Sequence, residues 1–250
     1  LFLDNNGFAG IVKAPEARDT MRTLGLLGGM SWESTQAYYR ILNQEAARRL
    51  GGLHSARLLI HSVDFADLAP LMEKGCWEDI GVHLGTAAQG LVRAGAQGIC
   101  ICTNTMHLVA DQVERMAGSP LIDLLDATAA EARALDMRRV GLLGTRFTME
   151  HGFYADGLAR HGLETLVPGP EDRDVVHRAI FEELCLGRFL DETRDAFARI
   201  MSRLAGLGAQ GIVLGCTEIP LLVGPEQSPV PLLDTTKLHA LAAMDWALEE

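Results

Sequence analysis

Gly95-Ala96-Gln97-Gly98-Ile99-Cys100-Ile101-Cys102-Thr103-Asn104 and Gly208-Ala209-Gln210-Gly211-Ile212-Val213-Leu214-Gly215-Cys216-Thr217 are two copies of one phrase, about 113 residues apart. Each is a glycine-bounded apolar run of strand length that ends on a hydroxyl or thiol followed by a polar residue. Thr103 and Cys216 therefore fall at equivalent points of an internal repeat. Two matched groups from two matched halves can stand on opposite sides of one ligand. That arrangement suits removal of a proton from one face of a carbon and delivery of a proton to the other.

The repeat extends outward from these strands. Leu24-Gly25-Leu26-Leu27-Gly28-Gly29-Met30 is echoed by Val140-Gly141-Leu142-Leu143-Gly144-Thr145-Arg146, Tyr38 by Tyr154, and Pro120-Leu121-Ile122-Asp123 by Pro231-Leu232-Leu233-Asp234. Three phrases in one order at nearly constant offset divide the chain into residues 21–136 and 137–250, each of ordinary domain size. The C-terminal helix is expected to cross to the first unit. Residues 1–20 echo nothing downstream and read as an upstream or expression-derived extension, left out of the fold argument.

Continuous apolar strands are expected at 23–27, 57–62, 98–102, 120–122, 139–143, 165–167, 211–214 and 230–233. Helical spacing runs through 31–50, 77–94, 175–186, 191–207 and 236–248. Apolar strands alternating with helices predict an α/β fold: two pseudo-symmetric, doubly wound parallel sheets with both faces covered. Ligands of such sheets sit beyond the carboxyl ends of the strands. Gly28–Met30, Thr103–Thr105, Gly144–Thr145 and Cys216–Thr217 all lie at such ends, so the site is expected in the cleft between the units.

Composition narrows the chemistry. The chain of 250 residues is 48% hydrophobic and 22% charged, with ample material for two cores. No apolar run reaches about 18 residues, so no membrane span is expected. A net charge of −11 without a basic tract argues against nucleic acid as a partner. Five cysteines, an odd number sparsely spaced, favour a reduced, cytoplasmic setting over a disulfide framework. Cys100-x-Cys102 lacks a second Cys/His pair at ligand spacing, so no metal is expected. Gly25-x-x-Gly28-Gly29 is not a dinucleotide fingerprint, and nothing calls for a cofactor.

Cys216 is the leading candidate nucleophile or base. It ends a strand and precedes Thr217-Glu218-Ile219-Pro220, where a helix start would favour the thiolate. Cys100 and Cys185 read as structural thiols. Thr103, Asn104 and Thr105 make a carboxylate cradle or a plain helix cap. Threonine is a poor base, so Thr103 should donate a proton better than it withdraws one. His107 stands one turn on, as a relay or as a surface histidine, and the surface reading is preferred.

Taken together, Leu24-Gly-Leu-Leu-Gly-Gly-Met-Ser-Trp-Glu-Ser-Thr35, Thr103-Asn-Thr-Met-His107, Gly215-Cys-Thr-Glu-Ile219 and Val230-Pro-Leu-Leu-Asp-Thr-Thr236 resemble the aspartate/glutamate racemase family over residues 21–250. The resemblance implies a cofactor-independent homodimer that acts on a small amino acid through one cysteine per domain. Here Cys216 matches the second cysteine and Thr103 stands where the first is usual, as in a Thr/Cys branch that prefers L-enantiomers. Cys102, adjacent, should point to the opposite face of the strand. By position, Met30, Ser31, Asn104, Thr105, Thr145 and Thr217 would hold the substrate's carboxylate and amino groups. No basic group stands in 181–187, where some members carry one, and His61, His177 and Arg146 are candidates to read a side-chain carboxylate. A decarboxylase or cis–trans isomerase of small dicarboxylates and a non-catalytic amino-acid-binding protein are the alternatives.

Overall fold

The computed structural model describes residues 21–249; the extension at 1–20 lies outside the described residues. The first half runs β1 (Leu24–Gly28), α1 (Trp32–Leu50), β2 (Leu58–Ser62), α2 (Phe65–Glu73), α3 (Trp77–Arg93), β3 (Gly98–Ile101), a 3-10 turn at Thr105–Val109, α4 (Ala110–Ala117) and α5 (Leu124–Ala134). The second runs β4 (Arg139–Gly144), α6 (Arg146–Glu150), α7 (Phe153–Ala159), β5 (Glu164–Leu166), α8 (Pro170–Glu182), a 3-10 turn at Leu184–Leu186 and α9 (Asp191–Gly206). It ends with β6 (Gly211–Gly215), α10 (Ile219–Leu222), β7 (Leu232–Asp234) and α11 (Thr235–Leu248). None of these helices is long and apolar enough to cross a membrane.

Two parallel sheets form, with strand orders β2-β1-β3 and β5-β4-β6-β7. This is the α/β architecture read from the sequence. Segment 120–122, expected as a strand, contributes only the isolated bridge Ile99–Leu121. Asp123 ends it there, because its carboxylate accepts from the Leu125 and Asp126 N–H groups and starts α5.

Strand alternation sorts the side chains onto two faces. Leu27, Ile99 and Ile101 pack against α3 and α4, while Leu24, Leu26, Cys100 and Cys102 pack against α1 and α11. Cys102 is fully buried in that second layer, on the face opposite α3.

The structure gives the Gly-Ala-Gln-Gly phrase a physical meaning. Gly95 and Gly208 adopt φ of +110° and +98° just past α3 and α9, a left-handed step that costs glycine little. Ala96 and Ala209 then send their N–H groups back to Leu91 and Leu204, both at 3.0 Å. The Gln97 side chain accepts from the Thr23 N–H, and that of Gln210 from the Arg138 and Arg139 N–H groups. Each phrase thus closes a helix and latches it to the neighbouring strand.

The cores exchange helices. Leu124, Leu125, Ala129 and Ala132 of α5 join the core of the second sheet. Ala240, Ala243, Met244 and Ala247 of α11 join that of the first. Arg22 fastens the returning helix, donating to the Trp246 carbonyl at 2.6 Å with its guanidinium 4.8 Å from the Trp246 ring. Inside the exchange, Tyr38 donates to His239 Nδ1 and His239 Nε2 donates to the Ile122 carbonyl, both at 2.7 Å. A carbonyl only accepts, which fixes the His239 tautomer.

Burial, and next the neighbouring His107, lower the His239 pKa to about 3. The unfolded chain therefore binds a proton that the fold refuses between pH 6.5 and 3, so stability is full above about 6.5 and falls as pH drops. Between pH 7.5 and 5 this side chain alone should cost about 2 kcal/mol. His239→Gln keeps one acceptor and one donor but cannot titrate. Urea unfolding at the two pH values should show a smaller acid loss in the variant than in the wild type.

Candidate active site

The carboxyl ends of β1, β3, β4 and β6 open on one cavity of about 70 Å³, room for a few waters or one small molecule. Its wall includes Met30, Ser31, Thr103, Asn104, Thr105, Thr145, Cys216 and Thr217, all eight candidate residues of the sequence analysis. Strand register explains the matched placement of Thr103 and Cys216. Leu27 pairs with Ile101 and Leu143 with Leu214, and each candidate lies two residues beyond the paired position.

The first-half wall is built from turns. Gly29, at φ +91°, passes so close to Val63 that a Cβ would lie 2.1 Å from its carbonyl oxygen. After it comes a cis Met30–Ser31 peptide. Ser31 caps α1 by accepting from the Ser34 N–H. Asn104 does not cap its turn; its amide donates to Thr235 Oγ1 at 3.0 Å and accepts from Tyr154 Oη at 3.2 Å. The plain-cap account of Asn104 is therefore replaced by a bridge to the second half. The Asn104 and Thr105 N–H groups begin a 3-10 turn, where no carbonyl of the turn reaches them.

His107 is buried, not on the surface as expected. Its Nε2 accepts from the Leu124 N–H at 3.3 Å, so Nδ1 carries the proton and donates to the Thr103 carbonyl at 2.8 Å. Burial lowers its pKa. Both nitrogens serve the backbone, so His107 holds the Thr103 turn and does not reach the hydroxyl. The segment's spacing made it look exposed because the helix that covers it, α5, packs from a distance.

Glu218 is the group the sequence analysis left without a role. It is buried, and its Oε2 accepts from Cys216 Sγ at 2.9 Å and Thr217 Oγ1 at 2.8 Å. Its Oε1 accepts from Ser31 Oγ at 3.0 Å, across the cleft. The expectation of a thiolate-stabilising helix start fails here. The helix after Cys216, α10, has four residues, and the thiol faces a carboxylate. Burial, then the Glu218 charge and hydrogen bond, hold the Cys216 pKa well above the thiol range, against a smaller lowering by the Glu218 N–H. The signal was in the sequence, an acid two residues after the cysteine, but the cross-cleft serine was not.

Thr145 caps α6 through the Thr148 N–H, and Thr148 Oγ1 lies 3.4 Å from Thr105 Oγ1. Phe65, Met72, Met106, Ile180, Phe181 and Cys185 complete much of the wall. Cys185, read as structural, is thus a cavity residue. The three candidates for reading a second carboxylate do not line it. His61 is exposed on β2, Arg146 pairs with Asp174 at 2.8 Å, and His177 Nδ1 accepts from the Arg146 N–H. Among the described residues no cluster of three or more His, Cys, Asp or Glu could hold a metal.

Comparison with known proteins agrees with this architecture. The sequence model of the Asp/Glu/Hydantoin racemase family matches residues 27–243. A solved structure of a candidate Asp/Glu racemase from Yersinia pestis is 50% identical with a TM-score of 0.88, covering 92% of this chain and 100% of that one. An aspartate racemase homologue from Pyrococcus horikoshii OT3 is 33% identical with a TM-score of 0.81, again over 92% and 100%. A glutamate racemase from Synechococcus sp. (strain CC9605) is 32% identical over 126 residues, 50% of this chain and 44% of that relative. The chain thus spans about half the length of the curated glutamate racemases it matches. It belongs to the Asp/Glu/hydantoin racemase family.

Removing the Glu218 charge should release the thiol. A fall of one pKa unit multiplies the thiolate tenfold, so Glu218→Gln should raise Cys216 alkylation by iodoacetamide at pH 8 about tenfold. Peptide mass spectrometry of Cys216 against time measures this, and an unchanged rate would show that burial alone sets the thiol.

Proposed function

We propose that this member of the family is an amino-acid racemase that exchanges the Cα proton through an asymmetric pair, Cys216 and Thr103. The observation that carries the reading is the single cavity lined by both residues at equivalent points of the two sheets. The names of the relatives bring in aspartate and glutamate as the first substrates to test.

The chemistry follows from the groups present. The Asn104 and Thr105 N–H groups, with Thr105 and Thr145 hydroxyls, hold the α-carboxylate and stabilise the charge that spreads onto it as Cα loses its proton. Glu218, the acid on the wall, draws the α-ammonium and shares a proton with Cys216. The pair titrates as a unit: when the proton sits on Glu218, Cys216 is a thiolate and can take the Cα proton. Thr103 supplies a proton to the other face. These steps are acid–base transfers between side chains and need no cofactor. A homodimer in the cytoplasm completes the reading on the family resemblance.

Asymmetry is the testable core. In deuterated water one enantiomer should incorporate Cα deuterium much faster than the other. Cys216→Ala should abolish exchange while the circular dichroism spectrum stays native. Thr103→Cys should raise exchange of the slow enantiomer by about 10²-fold or more, the scale of a general base. Full exchange in Cys216→Ala would overturn the mechanism. Loss of carbon dioxide from a dicarboxylate, or binding without exchange, would replace the racemase by a decarboxylase or a binding protein.

A further inference from the structure

The chemical character of the cavity wall bears on which side chain the substrate carries. Beyond the polar strand ends, the wall is formed by Phe65, Met72, Met106, Ile180, Phe181 and Cys185. No Lys, Arg or His is among the residues that line it. The charged residue that does is an acid, Glu218. Near Cys185 the field has the same sign. Its thiol is pushed up to about 12, first by burial and then by the charges of Glu218 and Glu33.

The basic groups nearest in sequence are otherwise committed. Arg146 follows the cavity residue Thr145, yet its guanidinium pairs with Asp174. Arg173, in α8 before Ile180 and Phe181, pairs with Glu150 at 3.1 Å. His177 accepts from a backbone N–H. Aspartate and glutamate each bring a second carboxylate, and here it would be desolvated against methionine and phenylalanine, beside an acid, with no cation to pair it. The strand-end N–H groups can serve only one carboxylate, and the reaction at Cα requires that this be the α-carboxylate.

We infer that the cavity selects an α-amino acid with an uncharged, small to medium side chain, seated on the apolar wall formed by Phe65, Met72, Ile180 and Phe181. This rests on the racemase reading above and narrows its substrate class. The α-ammonium complements Glu218, the α-carboxylate takes the strand-end donors, and the side chain removes apolar wall from water. A second carboxylate adds a repulsion that a neutral side chain of equal size does not.

Isosteric pairs isolate the charge. Cα deuterium incorporation is measured on the wild-type protein with both enantiomers of methionine, glutamine, glutamate, asparagine and aspartate, and kcat/KM is compared within each pair of similar size. Methionine and glutamine should exceed glutamate, and asparagine aspartate, by at least tenfold. Phe181→Arg, on the partly exposed rim of the cavity, should shift the glutamine-to-glutamate ratio toward glutamate by about tenfold. Equal or faster exchange of glutamate and aspartate in the wild type would overturn the inference and leave the racemase reading standing. An unchanged ratio in Phe181→Arg would overturn the assignment of this wall to the side chain. Exchange with none of the amino acids would instead sink the racemase reading itself.

Discussion

The exchange of α5 and α11 between the two cores is the constraint on which the cavity depends. Each sheet is covered on one side by a helix whose sequence neighbours belong to the other sheet. The hydrogen bonds from Tyr38 through His239 to the Ile122 carbonyl are therefore buried between halves, where leaving any partner unmet costs about 1–3 kcal/mol. Tyr154, Asn104 and Thr235 make the reciprocal connection. With both in place, the ends of β3 and β6 are held in one frame and Thr103 and Cys216 cannot drift independently.

Within that frame Glu218 joins the two walls. One carboxylate receives donors from Ser31 on the first half and from Cys216 and Thr217 on the second. An ionised carboxylate has capacity for about four acceptor contacts, so three internal donors leave room for one from a ligand. The same contacts that order the empty cavity keep the thiol protonated. Reactivity at Cys216 is thus governed by where one proton resides, not by a helix dipole.

Much of this was legible in the sequence because it is local. The Gly-Ala-Gln-Gly phrases mark helix ends and strand starts through backbone geometry confined to a few residues, and the apolar runs that follow are strands. The α2 helix escaped because Pro70 lies inside its nine residues, and its Asp64 cap is a signal shared with many turns. Partner choice was harder. An amphipathic pattern says that α5 buries a face, not which sheet receives it, and His107 was misplaced on the surface for that reason. Glu218 was quoted as part of a motif, yet its meaning comes from Ser31, a residue 187 positions away.

The return of α11 has a consequence during synthesis. The face of the first sheet that carries Leu24, Leu26 and Cys100 is covered by residues 235–248, which are nearly the last to leave the ribosome. Until then a nascent chain with all of its first half made still presents that apolar face, and Tyr38 lacks its histidine. The amino-terminal half therefore completes its core last, and a ribosome that stalls short of residue 235 leaves an apolar surface open to chaperones.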